Sequence, residues 1–160
     1  MARTIVMIRK LLVSDMRFKL LLLEAYGQLG WARMEKAMPF GKIAPSLGKP
    51  MAETSCAPAG SIRMAEAESV ARALRIAGRF TPWESKCLVT AIAGTRMLRR
   101  RGIASTLYLG TAKDERTGGM KAHAWLRSGD RILTGAEQMD RYTTVAMFAS
   151  GDGRLEEREL

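Results

Sequence analysis

Two residues of this 160-residue chain have types and spacing that could do covalent chemistry. Cys87 opens an apolar stretch, and His123, the only histidine, follows 36 residues later in Lys121-Ala122-His123-Ala124-Trp125-Leu126. A thiol attacks as the thiolate, so it needs a base within hydrogen-bond reach. One imidazole is available for that task. Taken singly, each residue reads as an ordinary core side chain, since free cysteines are among the most buried residues. Chemistry requires elements that bring the two together.

The first such element starts near Thr81-Pro82-Trp83-Glu84. Threonine as N-cap, proline at the first helical position and an acid three residues on form a helix-start pattern. The helix is expected to run through Cys87, Leu88, Ala91, Ile92 and Leu98 to Arg99-Arg100-Arg101, with Gly102 as its stop. Basic residues in a last turn suit the helix dipole. The arginine cluster reads as a solvated helix end or a contact for an acidic peptide. Cys87 then lies in the first turn or two, where unpaired backbone N–H groups favour a thiolate and can donate to a developing oxyanion.

The second element is a strand. Beyond Gly102 the pattern becomes β-like: 104–109 alternates loosely, 111–119 is a polar loop, 120–127 is a strand, and Ser128-Gly129-Asp130 turns it back through 131–134. Trp125 shares the face of His123 by the two-residue period and reads as core packing. Trp83 either packs the helix start or walls a cleft. Residues 137–148 read as a short helix on Met139, Tyr142, Val145 and Ala146.

Upstream, residues 4–38 read as one long helix or two consecutive ones. Ile8, Leu12, Met16, Leu20, Leu23, Gly27 and Met34 recur at helical spacing, and Gly27 and Gly30 allow a bend. This basic helix would be core, a docking surface or a membrane-surface element. Four prolines and three glycines between Pro39 and Gly60 mark a connection. Residues 61–78 form a helix on Ile62, Ala65, Val70, Ala73, Leu74 and Ala77. Helices first and a meander of strands after them make the class α+β, with the N-terminal helices packed on a small antiparallel sheet. We divide the chain into a helical and connecting segment (1–60), a core (61–150) and a frayed acidic tail (151–160).

Composition narrows the function classes. Two cysteines make no disulfide framework, and Cys56 reads as a loop thiol without a role. One histidine with two scattered cysteines does not make a zinc site, and no cofactor is expected. The net charge of +10, with nine Lys/Arg against three Asp/Glu in residues 1–50, implies an acidic partner. Nucleic acid is disfavoured, because aromatics are not interleaved with the basic segments and no nucleic-acid-binding fingerprint is present. The apolar N-terminal run is interrupted by Asp15, Arg17 and Lys19, so neither a signal peptide nor a membrane span is expected, and the location is read as cytoplasmic.

Five motifs stand in order: Cys87-Leu88-Val89; Leu98-Arg99-Arg100-Arg101-Gly102-Ile103; Leu107-Tyr108-Leu109-Gly110; Ala122-His123-Ala124-Trp125-Leu126; and Thr134-Gly135. Together they resemble the transglutaminase-like, papain-like leader peptidases of lasso-peptide biosynthesis. The resemblance covers about residues 80–148, and the N-terminal helix with its Pro-Phe-Gly connection is similar to that family less specifically. It implies a cysteine-protease site with Cys87 as nucleophile and His123 as general base and acid. It also implies a lasso-peptide precursor as substrate. A separate leader-recognition protein and an asparagine-synthetase-like, ATP-dependent macrolactam synthetase would be the partners.

One position departs from the family's pattern, which places an aspartate opposite the histidine on the returning strand. Here that position is Gly135. The candidate orienters of His123 are Glu137, two residues on, or Asp130 in the turn, with Asp140 more remote; a backbone carbonyl or a water could serve instead. Two other functions remain open at the level of sequence. The same Cys–His pair could use an amine acceptor as a transglutaminase or peptide ligase, and a non-catalytic basic binding protein would need neither residue.

Overall fold

The computed structural model describes residues 15–83, 86–151 and the backbone of 155–157. Helix α1 (Met16–Glu35) opens the described chain; the expected helix over residues 4–14 lies outside the described residues. The inner face of α1 is Ala25, Leu29 and Ala32, all fully buried. The face singled out by spacing points the other way, with Leu23 72% and Met34 71% exposed. The helix carries two apolar stripes half a turn apart. The smaller side chains face inward because they let α1 approach its neighbours closely.

The prolines between 39 and 60 disguise structure. Helix α2 (Phe40–Leu47) contains Pro45 and is held by burial of Ile43 and Leu47, four residues apart. It leads into β1 (Lys49–Pro50) and β2 (Ala52–Thr54). Pro50 is tolerated because β1 is an edge strand. The expected connection is therefore partly helix and partly sheet.

Helix α3 (Ser61–Gly78) buries Met64, Ala67, Val70, Ala73, Leu74 and Ala77. Ile62 and Ala65, expected on that face, are exposed. Helix α4 (Cys87–Arg99) begins later than its start signals suggested. Lys86 occupies the N-cap position, while the Thr81 hydroxyl donates within the preceding loop, to the carbonyls of Gly78 and Trp83. Glu84 lies outside the described residues.

In the arginine cluster Arg99 and Arg100 are exposed, as at a solvated helix end, while Arg101 is half-buried and tied into the fold. Arg101 bonds both oxygens of Glu24 on α1, at 2.6 and 3.2 Å, and Arg96 bonds both oxygens of Glu35 at 2.5 Å. The Arg101 hydrogen bond holds the Glu24 carboxyl below its usual range against the opposing effect of burial. Arg99 donates to the Ser46 carbonyl.

After α4 come β3 (Ser105–Lys113), β4 (Met120–Ser128), β5 (Arg131–Thr134), a 3-10 turn (Met139–Arg141), β6 (Thr143–Ser150) and β7 (Leu155–Glu157). The main sheet is antiparallel, in the order β1-β6-β3-β4-β5. β2 and β7 form a separate pair, so the tail expected to fray is in part a strand. The helix expected at 137–148 is instead the 3-10 turn followed by β6, which is inserted between β1 and β3. Its run Thr143-Thr144-Val145 is β-branched, and Phe148 and Met147 alternate between the two faces of the sheet.

Helices α3 and α4 lie on one face of the sheet, over Leu107, Ala124, Leu126 and Phe148, with α2 at its β1–β6 edge, and α1 packs on α3 and α4. Gly94 allows a close approach of α4 to the sheet: a Cβ there would stand 2.6 Å from Leu126 Cδ2. The other face carries Tyr108, Trp125 and Met147. Buried Arg127, on that same face, donates Nε–H to the Tyr108 hydroxyl at 2.8 Å, which in turn donates to Glu53 at 2.6 Å. Further Arg127 bonds to the carbonyls of Thr54 (2.7 Å) and Gly129 (2.6 Å) tie β2 and the β4–β5 turn to the sheet.

Candidate active site

Cys87 is the first residue of α4, and its surroundings follow from how that helix start is anchored. Four residues earlier, Trp83 lies against α1, its ring 5.4 Å from that of Tyr26. A Cβ on Gly30 would stand 3.3 Å from the same indole, so glycine gives it room. Trp83 therefore fastens the loop before α4 and is not among the residues that line the cleft. As the first helical residue, Cys87 sits where backbone N–H groups lack intrahelical acceptors.

His123 comes from β4, opposite Gly110 of β3. The missing side chain at 110 matters, because a Cβ there would meet the Trp125 ring at 2.8 Å and Tyr142 Cβ at 2.9 Å. That space lets the aromatic rings close around the imidazole. Tyr142 has its ring centroid 5.0 Å from His123, and Trp125 stacks at 5.9 Å while also stacking on Tyr108. Trp125 is thus core on one side and a wall for the imidazole on the other.

The β4–β5 hairpin turns through Gly129 and Asp130, with Ser128 paired to Arg131. Gly129 has a positive φ, as the first position of such a two-residue loop requires. After Thr134 the chain leaves the strand at Gly135, φ +75°. Its carbonyl accepts a hydrogen bond of 2.8 Å from His123 Nε2–H. A carbonyl cannot donate, so the neutral ring carries its proton on Nε2 and its lone pair on Nδ1.

Cys87 and His123 line one cleft of about 650 Å3, with Leu74, Arg75 and Arg79 on one side and residues 133–138 on the other. Glu137 also lines this cleft, exposed, and makes no hydrogen bond or ion pair among the described residues. Asp130 sits in the hairpin turn, beyond the far end of β4 from His123. Ser128 alone is five residues from His123, roughly 16 Å along a strand. Asp140 lies in the 3-10 turn and does not line the cleft. The structure therefore places the nucleophile and base candidates in one cleft, with a backbone carbonyl on the ring nitrogen for which a carboxylate was sought. Cys56 is an exposed free thiol.

Tyr142, at helical spacing from Met139 and Val145 in the sequence, lies instead between the 3-10 turn and β6, with its ring on His123. Its signal was the β-branched run that follows it. Among the described residues no group of three His, Cys, Asp or Glu side chains is placed to hold a metal ion, and no helix is long and apolar enough to cross a membrane.

Comparison with known proteins agrees with this geometry at the level of fold. The model of the transglutaminase-like superfamily core matches residues 32–147, which takes in every element from the end of α1 to most of β6. No curated protein and no solved structure gave a match to the chain.

Proposed function

The chain belongs to the transglutaminase-like superfamily, a fold generally used by cysteine-dependent enzymes, and from that premise we propose that it is a cysteine peptidase removing the leader from a ribosomally made lasso-peptide precursor. One observation carries the chemistry. The bond from His123 Nε2–H to the Gly135 carbonyl leaves Nδ1 as the ring's basic nitrogen, in a cleft that Cys87 shares.

In this reading Nδ1 takes the Sγ proton, and the thiolate attacks the scissile carbonyl. Free N–H groups in the first turn of α4 are available to the oxyanion that results. The imidazolium then gives its proton to the leaving amine as the C–N bond breaks, and an acyl-thioester remains on Cys87. Water attacks the thioester, Nδ1 takes its proton, and the leader departs with a new carboxylate while the thiol is restored. Throughout, the Gly135 carbonyl accepts from Nε2–H and holds the ring's orientation.

The precursor specificity rests on the ordered motifs from Cys87 to Gly135. In that assignment a separate leader-recognition protein delivers the precursor, and an ATP-dependent macrolactam synthetase closes the ring on the freed amino terminus. Mass spectrometry of the precursor incubated with all three proteins tests it. The expected products are a leader ending in a carboxylate and a core peptide with a free amine. Loss of ammonia with cross-linking would show an amine acceptor instead and contradict hydrolysis.

A further inference from the structure

The outer face of α1 has no use in the site described above. Met16, Leu20, Leu23, Gly27, Trp31 and Met34 follow one another at spacings of three and four residues, on the side of the helix opposite buried Ala25, Leu29 and Ala32. The five large side chains among them are each 59% exposed or more. A helix apolar on both sides belongs in an interior, and an exposed stripe of this size marks an interaction surface. We propose that this stripe is a docking seam for an amphipathic helix of a partner protein, with apolar residues at matching three-four spacing and acidic flanks.

The charges select that occupant. Both glutamates of α1 are committed to arginines of the same chain, Glu24 to Arg101 and Glu35 to Arg96. Glu35 also accepts the Trp31 indole N–H at 3.0 Å, which leaves the ring as apolar surface. Arg17 and Arg33 on the helix, and Lys36 just after it, are exposed and without a partner among the described residues. Of the described acids on α1 and at its N-cap only Asp15 is exposed, and the exposed Glu66 of α3 faces Arg101. A second copy would bring the same cations and another +10 charge against them. Residues 1–14 carry Arg3, Arg9 and Lys10 and no acidic side chain, so they complement the seam no better. An acidic helix does.

Shape distinguishes a helix from an anionic bilayer. The stripe is narrow, and the Glu24–Arg101 ion pair, whose side chains are 22% exposed, lies on its rim. Insertion into lipid would desolvate that pair further. At mid-length Gly27 leaves a notch, with nothing within 4 Å of a Cβ built there. Such a notch receives a knob from a facing helix.

The test uses the full chain and a fluorescein-labelled synthetic helical strand with leucine at its a and d positions and glutamate at e and g. Like charges keep such a strand from pairing with itself. Its anisotropy should rise on titration with the protein. Affinity should fall about tenfold or more in the Leu20→Glu/Leu23→Glu variant, and also on raising salt, while a strand with lysine at e and g stays unbound. No binding of the acidic strand overturns the proposal, including the case of a seam already covered by residues 1–14. Equal binding of both strands overturns it too. So does a concentration-dependent dimer, or binding to phosphatidylserine vesicles, that the same variant abolishes. Cleavage activity enters none of these readouts.

Discussion

His123 Nε2 and the Gly135 carbonyl oxygen stand 2.8 Å apart, and this bond occupies the place where a carboxylate would orient a catalytic imidazole. Gly135 cannot be exchanged for the missing acid. Its φ is +75°, and a Cβ there would lie 2.3 Å from the Ala124 carbonyl oxygen and 2.9 Å from Trp125 Cα. The backbone turn that brings the carbonyl to the ring also excludes any side chain.

Gly135→Asp should therefore inactivate the protein instead of improving it, and Gly135→Ala should do the same. A left-handed conformation costs a non-glycine residue about 1–2 kcal/mol, before the contact with Ala124 is relieved. Both variants should melt several degrees lower and cleave precursor poorly, measured by thermal unfolding and peptide release. Faster cleavage by Gly135→Asp would show that a carboxylate fits there after all.

Tyr142 should act as a positioning residue for the imidazole. Its ring is 5.0 Å from that of His123, and such aromatic contacts are worth about 0.5–1.5 kcal/mol. Tyr142→Ala should lower kcat up to roughly tenfold with little change in KM, and Tyr142→Phe should retain the rate. A purely structural role would instead lower the melting temperature and leave kcat of the folded fraction intact.

The fold's alkaline limit should be set in part by Tyr108. Burial and the bond to Glu53 push its hydroxyl up to about 12, with Arg127 opposing. An unfolded chain loses that proton near pH 10, whereas the native protein keeps it. Tyr108 therefore contributes stability that is complete below pH 10 and lost as the pH rises toward 12. Denaturant unfolding across this range should show the decline, and Tyr108→Phe should flatten it. That variant should also be less stable near neutrality by about 1–3 kcal/mol, because Glu53 and Arg127 lose the hydroxyl between them.

How far the sequence disclosed this molecule follows from which signals were local. The helix ending at Gly78 and the hairpin turning at Gly129 were legible, because period and turn residues agree there. The strand Thr143–Ser150 was not, because Met139, Tyr142, Val145 and Ala146 fall at helical spacing and only pairing with β3 decides otherwise. For α1 the element was legible and its orientation was not. Two apolar stripes compete, and close packing favoured Ala25, Leu29 and Ala32 over the larger side chains. Cys87 and His123 stood out by the motifs around them, and both line the cleft. The bond from Gly135 was not legible, since a backbone carbonyl has no sequence signature beyond the glycine that allows its turn.

The most direct test of the account is the rate of leader release by the folded Cys87→Ala and His123→Ala variants, with circular dichroism to verify the fold. Both should lose on the order of 10³-fold or more, as removal of a nucleophile or its base does in related chemistry. Cleavage by Cys87→Ala at the wild-type rate would contradict the assignment of this cleft as the catalytic site.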